Sequence, residues 1–365
     1  MTSLLGVASP VIAAPMAGGP TTTALVTAAA RAGSLGFLAA GYRTAAELAA
    51  QLDEVDGPYG VNVFAPNPVP VDPAEFRAYA RILQREADVY GLDLANAEIT
   101  EHDDDWSAKI DLLLSRPVPL VSFTFALPPA ATVAALRRAG TVVLQTVTST
   151  AEARAAAELG FDGLIVQSSE AGAHSGTFTP TIIPRDVPLT DLVRAVQGVV
   201  DLPVIAAGGV GTADDVVATL EAGAETVMVG TALLRTDESG ASAVHKTTLA
   251  EAATRAVRAE AGDESARDDA GDGLVGTGIW STVDTVITRA FSGRPARALR
   301  NGFVDRHDGE APSGYPAVHY LTTPLRRAAA RANDADRVNL WAGTGFRFAT
   351  DGPAADVLRR LASRA

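Results

Sequence analysis

One unit recurs eight times in the first 235 residues: a short apolar run, a polar or glycine-containing loop, and then, in most cases, a helix-start signal. Apolar runs of this length are typical of parallel strands buried on both faces. Eight such units in succession predict an α/β fold of the (β/α)8 TIM-barrel class. The runs lie at residues 11–14, 35–39, 59–64, 118–123, 142–145, 163–166, 203–206 and 226–229.

The helices between the runs have recognisable starts. Thr44 and Glu47 form a capping-box pattern, and Asp72-Pro73 opens a helical region that we expect to reach about Ser115. An open, doubly wound sheet is the structural alternative. It needs fewer strands and gives no reason for the glycine pair that follows the seventh run.

The pattern changes after Leu234. The chain loses strand periodicity, becomes rich in Ala, Arg and Asp, and favours helix by propensity. We therefore predict a mainly helical cap domain over the barrel mouth, with an acidic connection at 263–278 and a final amphipathic helix returning to the barrel. The predicted domains are a barrel of residues 1–235, completed by 344–365, and a cap of residues 236–343.

Composition narrows the function. The formal net charge is -13 with no long basic run, which argues against a nucleic-acid partner. The absence of Cys excludes disulfides, thiolate nucleophiles and Cys-ligated metals. The apolar N-terminus lacks a basic region and is interrupted by Gly18-Gly19-Pro20, so we expect neither a signal peptide nor a membrane span, and a cytoplasmic location.

Two glycine loops predict a phosphate site. Gly208-Gly209 follows the seventh run, and Gly230-Thr231 follows the eighth and opens a helix. Backbone without side chains can approach an anion closely, and helix N-termini favour negative charge. The loops after strands seven and eight are also the usual phosphate position in such barrels.

Polar side chains at other strand ends indicate what the phosphate belongs to. Asn62, Gln145 and Gln167 are amides that can pair with a flat heterocycle, and Met16 can cover a ring face. His174 is the one histidine at a predicted strand end. The other four, among them His102, His245 and His307, are expected in helical, charged surface or cap contexts, and His319 beside Tyr320 can face the cleft.

Other catalytic motifs are absent from the sequence. There is no His/carboxylate zinc spacing, no G-x-S-x-G elbow, no G-x-G-x-x-G and no Walker A pattern. The residues therefore favour cofactor chemistry with one acid/base group, His174.

Several segments resemble the nitronate monooxygenase family, formerly 2-nitropropane dioxygenase, and in particular its bacterial class I. The resemblance covers nearly the whole chain. It is carried by residues 15–19, 60–64, 167–174, 207–209, 229–231, 293–297, 315–316 and 339–343. At Ala173 and Ser175 the chain departs from the family, whose members commonly have Gly and a basic residue there.

The resemblance implies an FMN-dependent enzyme that oxidises small nitronates or nitroalkanes with O2 to a carbonyl compound and nitrite. It implies His174 as the catalytic base or electrostatic partner of the nitro group. We expect the substrate to lie near His319, Tyr320 and Trp341. The residues implied in FMN binding are Met16, Asn62, Gln167, Gly172, Gly209, Gly230 and Thr231, beside which the residue pattern also places Gln145 and Gly208.

Two other functions fit the same barrel. One is an FMN-dependent NAD(P)H oxidoreductase acting on quinones or enoyl substrates. The other is a non-catalytic flavin- or phosphate-binding regulator, in which His174 would have no task. A barrel of the IMP dehydrogenase type requires a nucleophilic Cys, which the chain lacks.

Overall fold

The computed structural model describes residues 4–67, 70–261 and 284–365. The acidic connection predicted at 263–278 lies outside the described residues. None of the helices within those ranges combines the length and the apolar character needed to cross a membrane.

Eight parallel strands close into a barrel, as predicted. The first and last of these strands close the barrel, where Val11 pairs with Val227, so the open-sheet alternative is wrong. The barrel strands are β1 (Val11–Ala13), β2 (Gly36–Ala39), β3 (Tyr59–Phe64), β4 (Leu120–Thr124), β5 (Val142–Val147), β6 (Gly163–Gln167), β8 (Val204–Ala207) and β9 (Thr226–Val229).

The barrel interior is a packed apolar layer. Alternate residues along the strands point inward, and these include Ile12, Phe37, Leu144, Ile165 and Met228, all nearly inaccessible to solvent. The intervening residues pack outward against the helices. Because the lumen is filled by side chains, a ligand site can form only beyond the strand ends.

Helices surround the barrel and start where the sequence indicates. The capping box is present, since the Thr44 side chain accepts from the Glu47 N–H at 3.2 Å and Glu47 accepts from the Thr44 N–H at 2.7 Å. The barrel helices are α1 (Thr23–Arg31), α2 (Ala45–Glu54), α3 (Pro73–Asp88), α4 (Trp106–Ser115), α5 (Ala130–Arg138), α6 (Thr150–Leu159), α7 (Leu189–Gln197) and α8 (Ala213–Glu221).

The helical region predicted from Pro73 to Ser115 is two helices, so that prediction was wrong in the middle. The chain leaves α3 near Gly91, which has a φ of 66°. Asp104 and Asp105 also adopt positive φ, at 58° and 60°, immediately before α4. A residue in the left-handed conformation interrupts a regular helix. Gly91 at one end of the connecting segment, and Asp104 and Asp105 at the other, therefore separate α3 from α4.

Beyond the barrel strands the chain forms four helices and a small sheet within the described residues. The sheet is antiparallel and has three strands, and a short strand that carries His174 lies at one edge of it. These elements are β7 (Ala173–His174), α9 (Ala243–Glu260), β10 (Thr285–Thr288), β11 (Ala296–Leu299), α10 (Gly302–His307), α11 (Ala317–Arg331) and α12 (Ala354–Leu361).

The expectation that strand periodicity is lost after residue 240 was wrong at β10 and β11. Each has only four residues and too little alternation to be recognised. β7, which pairs with β11, lies more than 100 residues away in sequence. The pairing of Ala296 with His174 therefore fixes the loop after β6 to the cap.

Two hydrophobic clusters connect the cap and the C-terminus to the barrel. Phe76 and Leu83 of α3 share a core with Phe291, Phe303 and Leu321. The last helix, α12, packs with α1 and α8 against β1 and β9, as predicted for an amphipathic helix returning to the barrel.

Candidate active site

A cavity of about 450 Å³ lies at the carboxyl ends of the barrel strands, under the cap. This volume is within the range of small-molecule and cofactor sites, roughly 300–1,000 Å³. Most of the residues singled out in the sequence line it. They are Met16, Asn62, Gln167, Gly172, His174, Gly208, Gly209, Gly230, Thr231, His319 and Trp341.

One end of the cavity is formed by glycine loops. Gly208 and Gly209 have φ of 127° and 72°, which are left-handed conformations that favour glycine. A Cβ on Gly209 would come within 3.1–3.2 Å of the Glu170 side chain. The backbone of this loop is therefore held close to its neighbours and exposed to the cavity without a side chain in between.

Three loops meet behind this end. A Cβ on Gly172 would lie 2.5 Å from the Gly343 nitrogen, and one on Gly345 would lie 2.6 Å from the Gly209 oxygen. The Thr231 hydroxyl accepts a hydrogen bond from the Gly343 N–H at 2.9 Å. These backbone contacts close the glycine end with the C-terminal segment of the chain.

The barrel side of the cavity carries a polar layer. The Asn62 Nδ2 donates to the Ser122 Oγ and the Thr124 Oγ1, each at 2.9 Å, and lies 3.3 Å from the Ser122 carbonyl. The Thr124 and Thr146 hydroxyls lie 3.2 Å apart. The amide hydrogens of Asn62 are thus used on the barrel wall, and its carbonyl oxygen is the atom that it can offer to a ligand.

Gln167 lines the cavity and also holds the loop that carries His174. Its Oε1 accepts from the Gly176 N–H at 2.6 Å, and its Nε2 donates to the His174 carbonyl at 3.2 Å. A side chain singled out for a cofactor therefore also fixes the backbone on both sides of Ser175.

Gln145 lies away from the cavity, in contrast to the expectation. Its neighbours Leu144 and Thr146 face the lumen, so Gln145 points outward with Val143 and Val147 into the layer between strands and helices. The side chain is inaccessible to solvent, and its Nε2 donates to the Thr146 carbonyl at 3.0 Å. Successive residues of a strand point to opposite faces, so Gln145 faces away from the cavity while its neighbour Thr146 faces it.

His174 lies on the cap side of the cavity in an aromatic surrounding. Its ring centroid is 5.4 Å from that of Tyr315, 5.5 Å from Trp341 and 5.9 Å from Phe125. The preceding residue, Ala173, has a φ of 65°, a left-handed conformation that favours the glycine expected there from the resemblance.

The electrostatics of this wall keep His174 neutral. Burial, and then the positive charges of Arg294 and Arg326, lower its pKa to about 3. Arg326 lines the cavity and donates to the His319 carbonyl at 3.0 Å and to the Thr323 hydroxyl at 2.8 Å. Among the described residues, no carboxylate lies within ion-pair distance of either arginine.

Tyr42 is a cavity residue that the sequence interpretation missed. Its ring stacks on His319 with centroids 4.1 Å apart and an interplanar angle of 4°. Its hydroxyl accepts a hydrogen bond from the Tyr315 hydroxyl at 3.0 Å.

Three other cavity residues were also missed. They are Phe64, Thr124 and Thr146, and they share the inward register of Asn62, so alternation along the strands could have identified them.

His245 and His307 lie in helices, as the sequence indicates, but both are buried, and Tyr320 lies outside the cavity, in contrast to the expectation. His245 is buried, lines the cavity and bonds the Trp341 carbonyl through Nε2 at 3.1 Å. His307 is also buried and bonds Glu86 at 2.9 Å. Tyr320 does not line the cavity, because its ring packs on His102 at 4.7 Å instead.

Acidification is expected to destabilise the protein between pH 7.5 and 5. Burial lowers the pKa of His174 to about 3, that of His245 to about 4 and that of His319 well below its usual value. Below pH 6.5 the unfolded chain binds protons that the folded chain rejects, so the free energy of unfolding falls by up to about 1.4 kcal/mol per histidine per pH unit.

Urea denaturation of the purified protein without added ligand, at pH 7.5 and pH 5, measures this loss. His245→Gln should show a shallower dependence on pH, because one of the three groups is removed. Equal unfolding free energies at the two pH values would contradict the assignment of neutral, buried imidazoles.

The family model described as nitronate monooxygenase matches residues 1–267 and 280–363. The chain is 31% identical over 379 residues to a probable nitronate monooxygenase of Staphylococcus aureus strain Newman, covering 99% of this chain and 95% of the relative. It is 34% identical over 353 residues to a probable nitronate monooxygenase of Bacillus subtilis strain 168, covering 94% and 91%.

Two solved structures are also similar. A nitroalkane oxidase from Streptomyces ansochromogenes is 40% identical, with a TM-score of 0.82 and coverage of 98% of this chain and 95% of that chain. FabK from Thermotoga maritima is 23% identical, with a TM-score of 0.68 and coverage of 98% and 93%, and this likeness shows the fold alone.

Proposed function

The chain belongs to the nitronate monooxygenase family of flavin-dependent oxidoreductases, and we propose that it uses FMN to oxidise small nitronates or nitroalkanes with O2 to a carbonyl compound and nitrite. Oxidation of nitroalkanes or nitronates follows from the family. The identity of the flavin, the role of each site residue and the position of the substrate are the proposal. The observation that carries it is one cavity with a glycine cradle at one end and His174 beside a cationic wall at the other.

The glycine end supports a flavin with a single phosphate. Gly208-Gly209 and Gly230-Thr231 would hold that phosphate through backbone N–H groups. The helix expected after Gly230 is only a three-residue 3-10 helix, Thr231–Leu233, so the contribution comes from the loop backbone. Gly343 and Gly345 contact the neighbouring loops behind this end, and these contacts support a mononucleotide over a larger nucleotide. Bound FMN would supply the electron acceptor for the reaction.

The ring of the flavin would lie over the polar layer of the barrel. Asn62 has its carbonyl oxygen left for a donor on the ring, and Met16 packs at the same rim beside Gly230. Gln167 would approach the ring with an amide that already fixes the His174 loop. Gly172 closes the edge by backbone contact with Gly343.

The cap side supports an anionic or nitro-bearing substrate. Burial lowers the pKa of Arg326 to about 10, which leaves the guanidinium positive at neutral pH. A buried cation that bonds only neutral groups attracts a negatively charged ligand. His319 and Trp341 lie on the same side, whereas Tyr320 would act only through its contact with His319.

The two catalytic tasks proposed for His174 are both compatible with a neutral ring. The pKa of about 3 belongs to a cavity without substrate, where the imidazolium faces two arginines. A nitronate formed in contact with the ring adds a negative charge and raises that pKa. The ring can thus accept an α-proton from a nitroalkane, or donate a hydrogen bond to the nitro group.

Purified protein reconstituted with FMN is expected to bind one FMN per chain non-covalently. Addition of ethyl nitronate under nitrogen should bleach the visible flavin absorbance without NAD(P)H, and admission of O2 should yield nitrite. Flavin released by heating identifies the cofactor and its stoichiometry. Bleaching by NAD(P)H but not by nitronate would favour the reductase alternative, and response to neither would favour the regulatory one.

Three further predictions stand beside this proposal. The partners are a small nitro compound and O2, without nucleic acid or membrane. The location is cytoplasmic. The chain divides into a barrel of residues 1–235 with 344–365 and a cap of residues 236–343, and limited proteolysis near 235 and 343 would test that division.

A further inference from the structure

We propose that Ser292 is a positioning residue that fixes the tautomer of His174, so that Nε2 carries the proton and Nδ1 is the ring nitrogen presented to the substrate. The inference deepens the proposed function of the same site and depends on it for its catalytic meaning. Ser292 itself is buried, with a relative accessibility of 1%, and does not line the cavity.

The hydrogen bonds around Ser292 determine which atom donates. The His174 Nε2 and the Ser292 Oγ lie 2.9 Å apart. The Ser292 hydroxyl donates to the Arg294 carbonyl at 3.2 Å and accepts from the Arg294 N–H at 3.4 Å. A hydroxyl has one proton and two acceptor sites, so its remaining capacity toward His174 is that of an acceptor.

The opposite tautomer would leave a buried group without a partner. If Nε2 lacked a proton, the Ser292 hydroxyl would have to turn toward it and away from Arg294. The Arg294 carbonyl would then lose the donor that the structure gives it, in a residue inaccessible to solvent. An unsatisfied buried carbonyl is costly, so the protonated Nε2 is the favoured state.

The other ring nitrogen faces the cavity. Nε2 is directed at Ser292, which does not line the cavity, and within the described residues Nδ1 of His174 has no hydrogen-bond partner. The ring itself lines the cavity, so we assign its cavity-facing side to Nδ1. A neutral imidazole has one bare nitrogen, and here that nitrogen is open to a ligand.

This arrangement assigns the proton-accepting atom. In the reaction of a neutral nitroalkane, the α C–H bond breaks, Nδ1 takes the proton, and the bonding pair moves into the nitro group to give the nitronate. Nε2 keeps its proton and its bond to Ser292 throughout. The reverse tautomer would direct an N–H at the α-carbon and block that step.

The direct test is nitrogen NMR of the FMN-reconstituted protein labelled with ¹⁵N in the imidazole rings. Long-range proton–nitrogen spectra distinguish protonated from bare ring nitrogens, and the His174→Asn variant identifies the signals of His174. We expect a protonated Nε2 and a bare Nδ1. A protonated Nδ1 in the wild-type protein would overturn the inference, whatever the activity.

The role of Ser292 is tested by Ser292→Ala, with Ser292→Thr as the control that keeps the hydroxyl. The ratio of the two tautomers should fall by roughly two- to tenfold in the Ala variant, the effect of one ordinary hydrogen bond. Turnover of nitroethane should fall by a similar factor while turnover of ethyl nitronate is unchanged. The Thr variant should restore both readouts.

An Ala variant with an unchanged tautomer ratio would remove Ser292 from its assigned role. Failure of the proposed function gives a different result. In that case the wild-type spectra still show a protonated Nε2, but neither nitroethane nor ethyl nitronate is converted.

Discussion

The Gly209→Asp variant is expected to lose the flavin while keeping its fold. A side chain added at Gly209, which has a φ of 72°, would meet Glu170, and its carboxylate would add a negative charge to the loop that is proposed to hold the phosphate. Two like charges about 4 Å apart repel by about 4 kcal/mol at an effective dielectric constant of 20, close to a thousandfold in Kd. Fluorescence titration with FMN measures the loss of affinity, and the circular dichroism of the apoprotein shows whether the fold is kept.

Gly33→Asp is a matched control. Gly33 is exposed and has a φ of 76°, and a Cβ added to it would meet no other atom within 4 Å. The same substitution therefore carries the same backbone strain at a position outside the site, and this variant should bind FMN normally. Wild-type affinity in the Gly209→Asp variant would contradict the phosphate position at the loop after β8.

The barrel was predictable because its signals are local. Each strand is a short apolar run. Helix ends are set by neighbouring residues, such as the Thr44–Glu47 capping box at one helix start and Gly160, with a φ of 85°, at another helix end. The glycine loops after β8 and β9 follow from the same order of elements. Local chemistry repeated eight times was sufficient to determine the fold class.

The polar residues of the site were predictable only to the accuracy of strand register. Asn62 and Gln167 point inward and line the cavity, whereas Gln145 points outward by one residue. The same parity identifies Thr124 and Thr146, which were missed. Being near a strand end is therefore a weaker criterion than sharing the inward face with a residue already assigned.

The cap side could not be predicted, because it is assembled from distant segments. Tyr42 stacks on His319, and Ser292 reaches His174, across separations of more than 100 residues. The hydrophobic periodicity of a sequence does not indicate contacts between such distant segments. Likewise, the burial of His245 depends on the C-terminal segment that contains Trp341, so its helical context in the sequence did not indicate that it lines the cavity.

The His174→Asn variant is expected to separate the two tasks proposed for the histidine. Asparagine keeps a hydrogen-bond donor and has similar reach, but it cannot accept a proton at neutral pH. If His174 is the base, turnover of neutral nitroethane should fall by roughly 10²–10⁴-fold, while preformed ethyl nitronate is far less affected. Steady-state rates with both substrates, with FMN content measured for each preparation, give the comparison.

A purely positioning role gives a different pattern. Both substrates would then lose rate together, since the nitro group is held in each case. His102→Asn is the control, because His102 is exposed and packs on Tyr320 outside the cavity. Unchanged rates with both substrates would make His174 a structural residue of the β7–β11 pairing.

The pH dependence supplies an independent criterion for the base. Because burial and two arginines lower the pKa of His174 to about 3, the free enzyme holds the neutral ring at every pH above 5. On acidification from pH 8 to 5, the kcat/KM for nitroethane should therefore not fall because of His174. Any fall that the wild-type enzyme shows should also be present in His174→Asn. A fall in kcat/KM near pH 6.5 that is absent in this variant would contradict the neutral, buried ring. It would mean that the imidazole is hydrated and that the cap does not close the cavity as we describe.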